Sequence, residues 1–105
     1  MTESAAVTDN ATAHRYELRV DGAVAGYVDY HDNGTRRSMN HTAIEPAYEG
    51  HGLGSTLAKA ALDDAREHGL SVLPYCPFIR SYIDGHRDSY VDLVPESERA
   101  KFKLA

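Results

Sequence analysis

The stretch Glu49-Gly50-His51-Gly52-Leu53-Gly54-Ser55-Thr56 sets three alternating glycines ahead of a segment with helical periodicity. That combination suits anion binding by backbone. Glycine lacks Cβ, so a ligand can approach the main chain closely, and the first N–H groups of a helix have no internal partner. A P-loop would carry Lys and then Ser or Thr directly after its last glycine, whereas Gly54 is followed by Ser55-Thr56 and the first lysine is Lys59. A dinucleotide fingerprint would need its third glycine three residues after the second and an acid closing the next strand, and neither is present. The glycines alone fit a tight turn equally well; the flanking pattern favours a phosphate-binding turn.

After the glycines, Leu57, Ala58, Ala61, Leu62 and Ala65 form an apolar stripe at helical spacing, which predicts a helix over residues 54–68. Lys59 and Asp63 lie one turn apart on its wet face and can pair, and Gly69 stands where a C-cap glycine belongs. Before the glycines, Tyr16, Leu18 and Val20 alternate with Arg15, Glu17 and Arg19, and Asp21-Gly22 supplies a two-residue hairpin turn. The chain returns over residues 23–31, turns at Asp32-Asn33-Gly34 and runs as a third strand over residues 36–44. Residues 70–73 read as a short buried strand. Pro77 permits a second helix, whose stripe Phe78, Ile79, Tyr82 and Ile83 is expected to pack on the sheet. The fold class is therefore α+β: an antiparallel strand meander, then glycine turn, helix, strand and short helix.

At 105 residues the chain has room for one core. Residues 1–13 are polar and Ala/Thr-rich and read as a flexible tail, leaving residues 14–105 as a single domain. Sixteen acidic against eleven basic residues give a net charge of −5, which argues against a nucleic-acid or anionic-membrane surface. The N-terminal residues lack a signal-peptide pattern and no stretch is apolar enough to span a bilayer, so a cytoplasmic location is expected. One cysteine, Cys76, forbids an internal disulfide. Six histidines show no ligand spacing with an acid between them, and no metal site is assigned.

This element order, with the glycine turn, resembles the acetyl-coenzyme A binding core of the GNAT N-acetyltransferase family. The family's pattern of Gln or Arg, two residues, Gly, one residue, then Gly or Ala aligns with Glu49-Gly50-His51-Gly52-Leu53-Gly54, departing at Glu49, whose carboxylate cannot donate to a phosphate. The chain is most similar to a small, minimal, single-domain subgroup. The shared features are His41-Thr42 ahead of the turn, Cys76-Pro77-Phe78 after the next strand, then Tyr82-Ile83, His86, Tyr90 and Asp92-Leu93-Val94. The resemblance covers residues 16–94. The subgroup often has an acid where this chain has Ala43, and its His-Pro-Glu-Tyr stretch is replaced by His86-Arg87-Asp88-Ser89-Tyr90.

The resemblance implies an acetyl-CoA-dependent N-acetyltransferase, with acetyl-CoA as co-substrate and an amine as acceptor. Amides of Gly50, His51, Gly52, Leu53, Gly54 and Ser55 would hold the pyrophosphate, Thr56 would add a contact, and the backbone of Ala43 and Ile44 would pair with the pantetheine arm. Cys76, next to Pro77 at a helix start, is a candidate nucleophile and equally a core-filling cysteine. Tyr82 matches the tyrosine that reprotonates the departing thiolate, and equally serves the core. His41 and His86 are candidate bases. The chain has no sequence for the helices that usually separate the first two strands, so an open acceptor side, suited to a protein or peptide, is expected. A non-catalytic acyl-CoA-binding module is the other reading left open.

Overall fold

The computed structural model describes residues 5–105. Its centre is one five-stranded sheet in the order β1 (Ala5–Asn10), β2 (Arg15–Val20), β3 (Ala23–Asn33), β4 (Arg36–Ile44) and β5 (Ser71–Pro74). The first four strands run antiparallel and β5 joins β4 in parallel through α1 (Leu53–Glu67). After β5 come α2 (Pro77–Gly85) and two single-turn helices, α3 (Arg87–Tyr90) and α4 (Glu96–Arg99).

Turn chemistry fixes the meander. Asp21 and Gly22 both take positive φ, 50° and 86°, the pairing that a type I′ hairpin demands and whose twist matches that of the strands. Gly34 (φ 64°) provides the next reversal, between Asn33 and its partner Arg36. Of the expected tail over residues 1–13, residues 1–4 lie outside the described residues, while Ala5–Asn10 pairs along all of β2, from Ala5 against Val20 to Asn10 against Arg15. An edge strand has one neighbour, so its main-chain hydrogen bonds hold it with only Val7 packed against the core.

Helix α1 lays Leu57, Ala58, Ala61, Leu62 and Ala65, all buried, over Tyr16, Leu18, Val28 and Met39 of the sheet. It stops in a Schellman motif: the Leu70 amide donates to Ala65 O (2.9 Å), the Gly69 amide donates to Arg66 O (3.0 Å), and Gly69 sits at φ 69°. Between helix and sheet lies the buried guanidinium of Arg37. It donates to both carboxylate oxygens of Asp32 (2.7 and 2.8 Å) and to the Tyr16 hydroxyl (2.6 Å), and it stacks 3.8 Å from the centre of the Tyr30 ring. Burial, then the hydrogen bond to Asp64, pushes the Tyr16 hydroxyl well above the ordinary tyrosine range, so it stays a donor. Burial and the bond to Asp9 likewise raise Tyr30, to about 12.

The expected stripe on α2 divides in two. Ile79 and Ile83 are fully buried, Tyr82 is half-buried, and Phe78 is 41 % exposed, lying against α1 rather than the sheet. No described helix is long and apolar enough to cross a membrane.

Candidate active site

Strands β4 and β5 pair only as far as Met39 against Pro74, with one further bond from the Cys76 amide to Met39 O (2.9 Å). Beyond that point β4 continues with β3 while the chain turns into α2. The two elements diverge, and a cleft of about 270 Å³ opens in the gap. Thr42 and Ile44 line it from β4 and Phe78 from α2, while Gly50, Gly52, Leu53 and Gly54 line it from the glycine turn, joined by Tyr48 and Glu49.

The hydrogen-bond parity of β4 decides which backbone groups face this cleft. The Tyr30 amide donates to His14 O (3.0 Å) on the β2 side, and the Glu45 amide donates to Ala25 O (2.7 Å) on the β4 side. In an antiparallel ladder these partners alternate, so Ala43, opposite Tyr27, spends its N–H and C=O on β3. By the same parity Thr42 and Ile44, rather than Ala43, present their backbone groups to the open side. A bulge makes this possible. Asp29 pairs with His41 and Tyr30 with Met39, leaving Asn40 as the extra residue, so Met39 before it and Thr42 after it both point toward the helices.

At the other end, α1 begins at an unusual cap. Gly50 (φ 83°) and Gly52 (φ 72°) are both left-handed, and Gly52 is the N-cap residue, without a side-chain cap. A Cβ at either would meet nothing within 4 Å, so the conformation, not crowding, calls for glycine there. Among the described residues, no amide from residue 50 to 55 donates a hydrogen bond; the first that does is Thr56, to Gly52 O at 3.4 Å. Free N–H groups at the positive end of a 15-residue helix are the arrangement that favours an anion. Gly54 answers a different need: a Cβ there would stand 2.9 Å from Phe78 Cζ, so its absence lets the ring close the cleft.

The other sequence candidates spread out. His51, Ser55 and Thr56 are exposed and do not line the cleft; the Thr56 hydroxyl turns back to Gly52 O at 3.5 Å. Lys59 is bound to Asp63 at 2.8 Å, the helix pair its spacing implied. Cys76 is the N-cap residue of α2, 3 % exposed, and its thiol donates to Thr42 Oγ1 at 3.2 Å. It reaches the cleft only through Thr42. Tyr82 stands outside the lining, its ring stacked 4.1 Å from that of His86 and 5.8 Å from Tyr90. The Nδ1 of His86 lies 2.8 Å from Tyr82 O, and His41 is on the opposite sheet face near Tyr27, so neither candidate base borders the cleft. Thr42, Tyr48 and Phe78 enter the lining without having been singled out as site residues. Glu49 lines the cleft beside the glycines. Among the described residues no cluster of His, Cys, Asp or Glu could hold a metal ion.

Comparison with known proteins follows the same lines. A family model described as GCN5-related N-acetyl-transferase matches residues 15–93. No curated protein matches the sequence significantly. Among solved structures, the chain is similar to a GCN5-like protein from Staphylococcus aureus, with 21% identity over 86% of this chain and 87% of that one and a TM-score of 0.62. It is also similar to the ribosomal-protein-alanine N-acetyltransferase of Brucella melitensis, with 24% identity, 77% and 59% coverage and a TM-score of 0.53. The ribosomal-protein-S18-alanine N-acetyltransferase of Escherichia coli gives 20% identity, 55% and 38% coverage and a TM-score of 0.52. The chain thus spans roughly two fifths to three fifths of these two enzymes. At such identities the likeness establishes the shared fold, and the family model adds the descent: this chain belongs to the GCN5-related N-acetyltransferase family.

Proposed function

We propose that the protein transfers acetyl from acetyl-CoA to an amine carried on a protein or peptide. One observation carries this reading: the glycine turn, whose amides from residue 50 to 55 take no partner, lines through Gly50, Gly52, Leu53 and Gly54 the same cleft as the free edge of Thr42 and Ile44. A diphosphate fits the amides and an amide-bearing arm fits the strand edge, which are the two recognition elements that acyl-coenzyme A carries. Bound there, it supplies the activated acetyl group as a thioester.

The chain's own groups then have distinct tasks. The amides of the turn hold the diphosphate, and the Thr42 and Ile44 backbone orients the arm toward the divergence of β4 and β5. Because the Cys76 thiol donates to Thr42 Oγ1, the hydroxyl proton of Thr42 is free to point into the cleft. Thr42 is a hydroxyl donor in the cleft wall beside the divergence, and Cys76 positions it. We assign Cys76 no covalent step, because its sulfur is buried behind Thr42. Tyr82, away from the lining, serves packing against His86 and Tyr90.

A protein or peptide acceptor fits the outer sheet face, on which Arg15, Glu17, Arg19, Tyr27 and His41 stand with no helix over them among the described residues. The Escherichia coli and Brucella relatives, ribosomal-protein-S18-alanine and ribosomal-protein-alanine N-acetyltransferases, support this class of acceptor. The test is coenzyme release from acetyl-CoA on mixing with amine-bearing peptides, read with intact mass of the peptide. Release that depends on both components, with one acetyl gained by the peptide, supports the proposal. No acetylated product across peptides and polyamines, despite coenzyme binding, overturns it.

A further inference from the structure

The acidic chain carries a basic groove on the other side of residue 76. Pro74, Tyr75, Pro77 and Arg80 form one wall and Lys101, Phe102 and Lys103 the other, enclosing about 390 Å³. Its cations are distinctive. Apart from Arg99, which donates to Val94 O at 2.9 Å, every other Lys and Arg lies against a carboxylate; among the described residues, Arg80, Lys101 and Lys103 do not. All three face this one groove in a protein of net charge −5. Tyr75 is 45 % exposed, set edge-on to Phe102 at 5.0 Å, and Lys101 sits over both rings while donating to the Tyr75 hydroxyl at 2.7 Å. The ring platform and the tethered ammonium are thus built before any ligand arrives. Lys101, Phe102 and Lys103 lie beyond the residues the family model matches, so that wall of the groove stands outside the matched core.

Resting on the reading above, we propose that this groove docks acidic side chains of the acceptor, so that the preferred substrate is an amine on an Asp/Glu-rich peptide segment. Charge complementarity selects that occupant. Three cations without carboxylate partners match two or three carboxylates, whereas a nucleic acid would need a longer basic track and would meet the repulsion of the remaining acidic surface. Placement agrees. Tyr75 and Pro77 flank Cys76, whose thiol touches Thr42 in the cleft wall, so a few extended residues at about 3.3 Å each link a docked acid to an amine at the divergence.

The test combines calorimetric titration with kinetics, using a hexapeptide with a free amino terminus and an acidic run, its Asn/Gln counterpart, and a dodecamer of deoxythymidine. Variants are Lys101→Glu with Lys103→Glu, and separately Arg80→Gln on α2, each checked by thermal unfolding with and without coenzyme A. We expect the acidic peptide to bind at least tenfold more tightly than the neutral one, and the double reversal to erase that difference. In transfer assays it should raise KM for the acidic peptide at least tenfold while leaving kcat and coenzyme-dependent stabilisation unchanged. Equal binding of both peptides, or an unaltered preference in the variants, overturns the groove assignment while coenzyme stabilisation leaves the transferase reading intact. Tighter binding of the deoxythymidine dodecamer than of the peptide overturns the choice of partner. Loss of coenzyme stabilisation in the wild type would instead strike the transferase reading, and the calorimetry would still judge the groove.

Discussion

Replacing Gly52 by alanine isolates the backbone conformation on which the proposed anion site depends. A Cβ at this position meets no atom within 4 Å, so no collision contributes, and the cost is that of holding an L-residue at φ 72°. That cost is about 1–2 kcal/mol for alanine and less for asparagine, which tolerates the left-handed region through its own local hydrogen bonds. With an unfolding entropy of about 2.1 cal/mol/K per residue, roughly 0.22 kcal/mol/K for this chain, alanine should lower Tm by about 5–9 °C. Asparagine should fall between alanine and glycine. If the turn instead relaxes to a negative φ, Tm recovers but the amides of residues 50–55 no longer converge, and coenzyme A affinity falls at least tenfold, about 1.4 kcal/mol. Thermal unfolding with and without coenzyme A reads both outcomes. An alanine variant that keeps both the wild-type Tm and the wild-type coenzyme affinity would refute the reasoning.

Glu49→Gln removes a negative charge from the cleft lining and should tighten coenzyme A binding two- to fivefold, most at low salt, as calorimetry at two ionic strengths will show. Thr42→Val should lower kcat at least tenfold, whereas Cys76→Ser and Tyr82→Phe should stay within about threefold of wild type; intact mass after incubation with acetyl-CoA should show no adduct on Cys76. Arg37→Met strands the Tyr16 and Asp64 groups around it; a fully buried pair would cost about 3–5 kcal/mol, and the 40 % exposure of the Asp32 side chain brings the expectation to about 2–3 kcal/mol in urea unfolding. Hydrogen bonds from Arg37 and Arg66 hold Asp32 and Asp92 below the usual carboxylate range, so their stabilisation is complete above about pH 4 and is lost as pH falls through the lower folded-state values. Tm should therefore be level from neutrality to about pH 5 and drop below about pH 4, less steeply in Arg37→Met.

Much of the fold is written locally. Asp21-Gly22 fixes its hairpin by turn chemistry, and the stripe from Leu57 to Ala65 fixes α1 by period, so both are legible from neighbouring residues alone. Strand β1 is not, because its stability comes from pairing with β2 and its own residues bury almost nothing. The glycine turn at the start of α1 was legible for the same local reason as the hairpin. The choice of Thr42 over Ala43 was hidden, since it depends on the extra residue at Asn40, and a bulge is set by the register between two strands. Phe78 read as core because its spacing matches Ile79 and Ile83; its place at the cleft follows from the missing Cβ of Gly54, a contact between residues 24 positions apart. Cys76 and Tyr82 carried chemistry by residue type, and only the packing around them, Thr42 in one case and His86 in the other, shows what each side chain touches.

The most direct test is an amide-resolved NMR titration of the labelled protein with coenzyme A and, in parallel, with pantetheine, which lacks the diphosphate. The amides of residues 50–55 should shift together with coenzyme A and stay in place with pantetheine, while Thr42 and Ile44 respond to both. Saturating coenzyme A that leaves residues 50–55 unmoved would contradict the central claim that these main-chain donors hold the diphosphate.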